Sequence, residues 1–222
     1  MEKRKLRSAL DQESREINDD LLRLHKLVDQ AIARSVDSLE RRDQVLAQQV
    51  IDEDIEVNNL RFEIEEACLV LIATQQPAAS DLRSTIAAMH MVVEMERIAD
   101  HAAGIAKTVI AMGDELLLQP LIDIPRMAEL ARQMLQDSLT AHAERNPGMA
   151  KLVAERDDEM DRLYKAVFHE LVESMSKTPD SATGATYLLW CAHNLERIGD
   201  RVTNIAERVV FITTGDMREL NL

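Results

Sequence analysis

Aromatic residues are scarce in this chain. Phe, Trp and Tyr together make up 3% of its 222 residues, and only six glycines and five prolines punctuate it. Strands draw on aromatic and β-branched residues and need frequent turns, so this poverty excludes an all-β domain. Cysteine is limited to Cys68 and Cys191, each alone in an apolar helical stretch. With no Cys-x-x-Cys there is neither a thiolate zinc motif nor a dithiol redox motif, which leaves two buried thiols in a reducing compartment. Basic residues are outnumbered, 26 Lys and Arg against 40 Asp and Glu, for a net charge of −14. That balance excludes the basic face of a nucleic-acid binder and points to cations or basic protein surfaces as partners. No apolar run approaches the ~20 residues of a membrane span. The opening M-E-K-R-K-L-R-S-A-L-D-Q-E-S is basic but has no apolar stretch behind it, so it does not read as a signal peptide. The expectation is a soluble, cytoplasmic protein with no direct membrane insertion.

What is present is helical patterning. Apolar residues make up 46% of the chain, enough for a sizeable core. Leu6, Leu10, Ile17, Leu21, Leu24, Val28, Ile32 and Val36 recur at mostly three- and four-residue spacing and predict a helix over about 6–40. After a turn at Arg41-Arg42-Asp43, a second helix is expected over about 43–75, with Leu46, Val50, Val57, Leu60, Ile64 and Leu71 on one stripe. Gln76-Pro77 ends it, because proline lacks the amide donor and clashes with the preceding turn. A third helix runs over about 79–112. Gly113, Pro120 and Pro125 then enclose a less regular connector with room for a short helical turn. The plan repeats with helices over about 125–145 and 149–176 and a last one from Pro179 to about 212. Asn146-Pro147-Gly148 divides the first two, and Thr178-Pro179-Asp180 reads as an N-cap with proline at the first helical position of the last. The fold class is all-α: six long helices as two tandem, similar three-helix bundles. The first bundle spans residues 1–113, the second 120–215, and 216–222 is a C-terminal tail.

One stretch occurs twice. Residues 95–110 and 195–210 share seven identities at an offset of one hundred, including Glu96/Glu196, Arg97/Arg197, Ile98/Ile198 and Asp100/Asp200. Each E-R-I-x-D puts a Glu and an Asp one turn apart on one helix face. Upstream, Asp54-x-x-x-Asn58 answers Asp157-x-x-x-Asp161. The core stripes, Met95, Ile98, Ala102, Ile105, Val109 and Met112 and then Leu195, Ile198, Val202, Ile205, Val209 and Ile212, leave the acids on the opposite side of each helix.

Hairpin register adds a second constraint. Asp54 and Asp100 are equidistant from Pro77, as are Asn58 and Glu96. Asp157 and Asp200, and Asp161 and Glu196, are equidistant from the Thr178–Pro179 junction. Each motif therefore lies level with its partner on the preceding helix, about 28 Å from the turn. Carboxylates gathered in this way repel one another unless a cation or protons neutralise them. Oxygen ligands suit hard cations and iron or manganese. A solvated acidic face is the competing reading. None of the six histidines follows a Glu by three residues, so the Glu-x-x-His of ferritin-like bundles is absent. His193 lies within ~60° of Glu196 and Asp200 on its helix, and Arg97 and Arg197 flank the acid pairs.

At these residues the chain resembles the PhoU family of phosphate-transport accessory proteins. The resemblance spans almost the whole chain and is carried by the tandem E-R-I-x-D motifs, the Gln76-Pro77-Ala78-Ala79-Ser80-Asp81-Leu82-Arg83 turn and the D-x-x-x-N and D-x-x-x-D partners. It implies two similar three-helix bundles and metal ions at Asp54, Asn58, Glu96 and Asp100, and at Asp157, Asp161, Glu196 and Asp200. The ions would be divalent or trivalent (iron, manganese, magnesium, calcium or zinc). It also implies a non-enzymatic negative regulator of phosphate uptake and phosphate-starvation signalling. Such a regulator acts with a sensor histidine kinase and the ATPase of an ABC phosphate transporter, and a homodimer is the favoured assembly. Asn58, neutral where the second half has Asp161, should weaken the first site, and His101 against Arg201 makes the two sites inequivalent. Two other functions stay open at this point: a carboxylate-bridged metalloenzyme, which would need an enclosed site and a base, and a metal-free helical adaptor.

Overall fold

The structure, a computed structural model, describes residues 2–113 and 123–215, without the side chains of residues 2–8 and of Pro179. Its helices are α1 Glu2–Arg41, α2 Gln44–Gln75, α3 Ser80–Met112, α4 Ile124–Glu144, α5 Pro147–Glu155, α6 Asp157–Lys177 and α7 Ala182–Thr214. Among the described residues there is no strand, and none of the helices is long and apolar enough to cross a membrane. Most of the connector expected between the bundles, the 216–222 tail and the Leu6 side chain fall outside the described residues.

The turns explain the boundaries. Asp43 caps α2 by accepting from the Leu46 amide at 2.9 Å. Gln76 closes α2 in the left-handed region, with φ 47° and its amide on the Ile72 carbonyl, and Pro77 prevents continuation. Asn146 caps α5 through the Met149 amide, with Pro147 at the first helical position. Two expectations need correcting. The helix expected over 149–176 is kinked: it divides at Arg156 into α5 and α6, and Arg156 donates to Asp137 Oδ2 at 2.6 Å to hold the bend. Thr178 is not the cap of the last helix. A 3₁₀ turn, Pro179–Ser181, intervenes and α7 starts at Ala182.

The predicted stripes are buried, with Leu46 only half so, and the apolar core runs unbroken from α1–α3 into α4–α7. Helices α3 and α7 form its centre. They run antiparallel in direct contact, as the pairs Arg83–Ile212, Glu94–Arg201 and His101–Asn194 require. Each therefore buries a second face that the single-stripe reading did not anticipate. Cys68 and Cys191 lie in this interior, where burial pushes both thiols up to about 12.

Candidate metal centres on the two helical hairpins

In the first hairpin, α2 carries Asp54 and Asn58 and α3 carries Glu96 and Asp100. The register brings them together. The Asp54 carboxyl is raised above its ordinary value, first by burial and then by the negative charge of Asp100 across the hairpin. Glu96 is raised by burial, by Asp100 on its own helix, and by Asp54, while Arg61 and Arg97 pull it down. Asp54 Oδ1 is buried with no hydrogen-bond partner. Its other oxygen accepts from Asn58 Nδ2 at 3.0 Å, and the same amide reaches the Asp54 carbonyl at 3.1 Å. Asn58 thus supports Asp54 from its own helix.

The second hairpin repeats the arrangement with stronger internal pairing. Glu196 is raised by burial, then by Asp200, and by Asp161 on α6, with Arg197 opposing. Glu196 Oε2 is buried and accepts no hydrogen bond. His193 Nδ1 lies 3.5 Å from it, beyond hydrogen-bonding range, on a side chain 56% exposed. Arg197 donates to Asp200, and Lys165 holds Asp161 Oδ2 at 3.0 Å. Asp157 stands at the first position of α6, created by the kink at Arg156. Its Oδ1 lies 3.0 Å from where a Cβ would project from Gly199, so Gly199 lets the carboxylate approach α7. The Arg197 pairing is not copied in the first repeat, where Arg97 Nη1 lies 3.5 Å from Glu94 instead.

Among the described residues no three His, Cys, Asp or Glu side chains are drawn together closely enough to cage an ion. Asn58 engages Asp54, Arg197 engages Asp200 and Lys165 engages Asp161 instead. One orphaned, buried carboxylate oxygen remains in each. A buried anion without a partner is costly, and either a proton or a cation relieves it. The donor set, carboxylate oxygens with one amide, fits a hard or borderline cation.

Single-stripe reasoning missed a set of polar residues between α3 and α7. Glu94 Oε2 accepts from Arg201 at 3.4 Å and from Asn204 at 3.2 Å. His101 Nδ1 lies 3.0 Å from Asn194 Oδ1. The signal was available in the repeat: positions 94/194 and 101/201 are polar in both copies but differ in kind, as contacts across an internal symmetry do.

These features define a class: an internally duplicated helical-bundle protein with one acidic cluster on each hairpin. Two segments, 21–109 and 124–209, each match the PhoU domain. The chain is 37% identical over 209 residues, 94% of its length and 88% of the relative's, to the phosphate-specific transport system accessory protein PhoU homolog of Rhizobium meliloti. It is 35% identical to the homolog of Clostridium acetobutylicum, covering 97% of this chain and 99% of that one. The crystal structure of PhoU from Pseudomonas aeruginosa superposes with a TM-score of 0.88 at 33% identity, covering 93% of this chain and 99% of that one. The PhoU of Streptococcus pneumoniae gives 0.88 at 31% identity, over 94% and 99% of the two chains. The chain belongs to the PhoU family, and it is a PhoU-like accessory protein of phosphate transport.

Proposed function

We propose that this protein is a non-enzymatic, metal-binding negative regulator of phosphate uptake and of phosphate-starvation signalling. It works from the cytoplasmic side on the phosphate ABC transporter and a sensor histidine kinase. The observation that carries the metal part is the pair of buried, unpartnered oxygens, Asp54 Oδ1 and Glu196 Oε2, each inside a carboxylate cluster. Asp54, Asn58, Glu96 and Asp100 would hold ions in the first cluster, and Asp157, Asp161, Glu196 and Asp200 in the second. A bound cation supplies positive charge on an otherwise acidic surface and ties each pair of adjacent helices together. Asp100 is exposed, and Arg197 and Lys165 are surface cations that can swing away from their acids, so the clusters can close without repacking the core. Residues 1–113 and 120–215 are the two repeats, one site to each.

Elemental analysis of protein purified without chelator tests the metal part. Wild-type protein should carry metal, and Asp100→Ala and Asp200→Ala should each lose the share of one site while keeping their helical circular dichroism. Unchanged metal content in both variants removes the assignment. The regulatory part is tested in a deletion strain, which should express phosphate-starvation genes in phosphate-rich medium. Normal repression there refutes it.

A further inference from the structure

The outward face of α2 carries an apolar ridge that stands exposed among the described residues. Ile55, Phe62 and Leu69 recur every seven residues and are 60, 57 and 56% exposed. A seven-residue repeat keeps its members in line along one helix side, here over about 21 Å. The three residues fill one position of a heptad and form a single line of knobs. Soluble proteins leave single large apolar residues exposed as a matter of course, but an aligned trio with an aromatic at its centre has the form of a helix-docking surface. The opposite face of α2, with Val57, Leu60, Ile64, Cys68 and Leu71, supplies its share of the core, so the ridge lies outside the core of the described residues.

The charges beside the ridge select its occupant. Glu56 and Glu63 follow Ile55 and Phe62 on one flank, and Glu66 stands between Phe62 and Leu69; all three are exposed. The Arg61 guanidinium, 4.5 Å from the Phe62 ring centroid, already takes one face of that ring, so the charge preference of the ridge comes from the three glutamates. Two copies of this face laid together would oppose acid to acid, which disfavours self-association through it. The corresponding positions of α6 in the second repeat are Asp158, Lys165 and Val172, so the ridge is confined to the first.

We propose that the α2 ridge is a docking surface for an amphipathic helix of another protein whose apolar seam is bordered by lysines and arginines. Phe62 is the central anchor, and Glu56, Glu63 and Glu66 set the charge requirement. The proposal rests on the regulatory reading only in supposing that a partner exists, and it makes no use of the metal clusters.

The test is fluorescence anisotropy of a labelled helical peptide of about 15 residues, the length of the ridge. The peptide has leucine and isoleucine at the seam and lysine beside it, and is titrated with the full chain. Phe62→Ser should weaken binding at least about tenfold, as expected for a central aromatic anchor. Glu56→Lys combined with Glu63→Lys should weaken it comparably and flatten its salt dependence, whereas Val172→Ser should leave it unchanged. Circular dichroism verifies that each variant is folded. Equal binding of a peptide whose seam is replaced by serine, or unchanged affinity in Phe62→Ser, overturns the proposal, because the attraction is then bare charge or lies elsewhere. Sedimentation of the chain alone gives a further check: a dimer that Phe62→Ser converts to monomer makes a second copy the occupant and also overturns it. Failure here, with phosphate repression lost in the deletion strain, overturns the docking surface alone and leaves the regulatory reading standing.

Discussion

Glu94 on α3 and Arg201 on α7 form an ion pair at 3.4 Å whose counterpart, related by the repeat, is the hydrogen bond between Asn194 and His101 at 3.0 Å. Positions 94 and 194 are equivalent, as are 101 and 201, and each contact joins a member of one repeat to a member of the other. An internal two-fold relation requires this reciprocity. It sets both E-R-I-x-D motifs at the same level on opposite strands of the central antiparallel pair. Asp29 and Arg132, each eight residues into its matched segment, add a bidentate pair between α1 and α4 at 2.8 and 3.0 Å. The two copies of this lock have diverged in chemistry. One is charged. The other uses a neutral His101, held below its ordinary value by burial and by Arg201 and Arg197. Asn194 donates its amide to the Trp190 carbonyl, which turns its oxygen toward His101 and makes Nδ1 the protonated ring nitrogen.

Loss of the charged lock should therefore be the more damaging. Glu94→Ala strands Arg201 and removes the acceptor of Asn204, with an expected cost of about 1–3 kcal/mol. That is a fall in Tm of roughly 2–4 °C per kcal/mol for a chain of this size. Asn194→Ala should cost less. Thermal melts of both, with Arg201→Ala and the double variant to close the cycle, check the ranking. A coupling between Glu94 and Arg201 below about 0.5 kcal/mol would contradict the lock.

The carboxylate clusters set a pH dependence in protein stripped of metal by chelator. Asp54, Glu96 and Glu196 hold their protons more tightly in the fold than their ordinary values of 3.8 and 4.5. The folded state then binds more protons than the unfolded chain, so their contribution falls as pH rises from those values through the raised ones, and the full penalty persists at pH 7. Asp54→Asn and Glu196→Gln should melt above wild type at pH 7, and the advantage should shrink toward pH 4. The buried His25 and the half-buried His101 and His142, all lowered, act in the opposite direction below 6.5. They are common to variant and wild type and cancel in the difference. An advantage independent of pH would show that repulsion within the clusters is not its source.

Gly199 and Ala99 stand at equivalent positions in the two motifs but are not interchangeable. A methyl group on Gly199 would meet Asp157 Oδ1 at 3.0 Å and Met160 Cγ at 3.1 Å. Gly199→Ala should lose about 1–3 kcal/mol from overpacking, despite the better helix propensity of alanine. Ala99→Gly should lose only about 0.5–1 kcal/mol. Denaturant melts distinguish the two, and a stabilised Gly199→Ala would mean that Asp157 moves aside freely.

The local elements were legible because they depend on neighbours in the chain. Apolar residues at three- and four-residue spacing named the helical faces, and Gln76-Pro77 stopped α2 whatever surrounded it. Even the level of Asp54 with Asp100 followed from counting residues away from a turn, since helix rise is constant. The break at Arg156 was not legible, because nothing local ends a helix there; Asp137 on α4 holds it through an ion pair distant in sequence. The α3–α7 contact was likewise decided only in three dimensions. Glu94, His101, Asn194 and Arg201 look like surface residues on a one-stripe wheel, and they become half-buried contacts only when the second repeat is turned against the first. The same holds for the pairing within the clusters. Sequence placed the acids side by side, but which one Arg197 or Asn58 engages, and which oxygen is left buried without a partner, depends on side-chain packing that no spacing encodes.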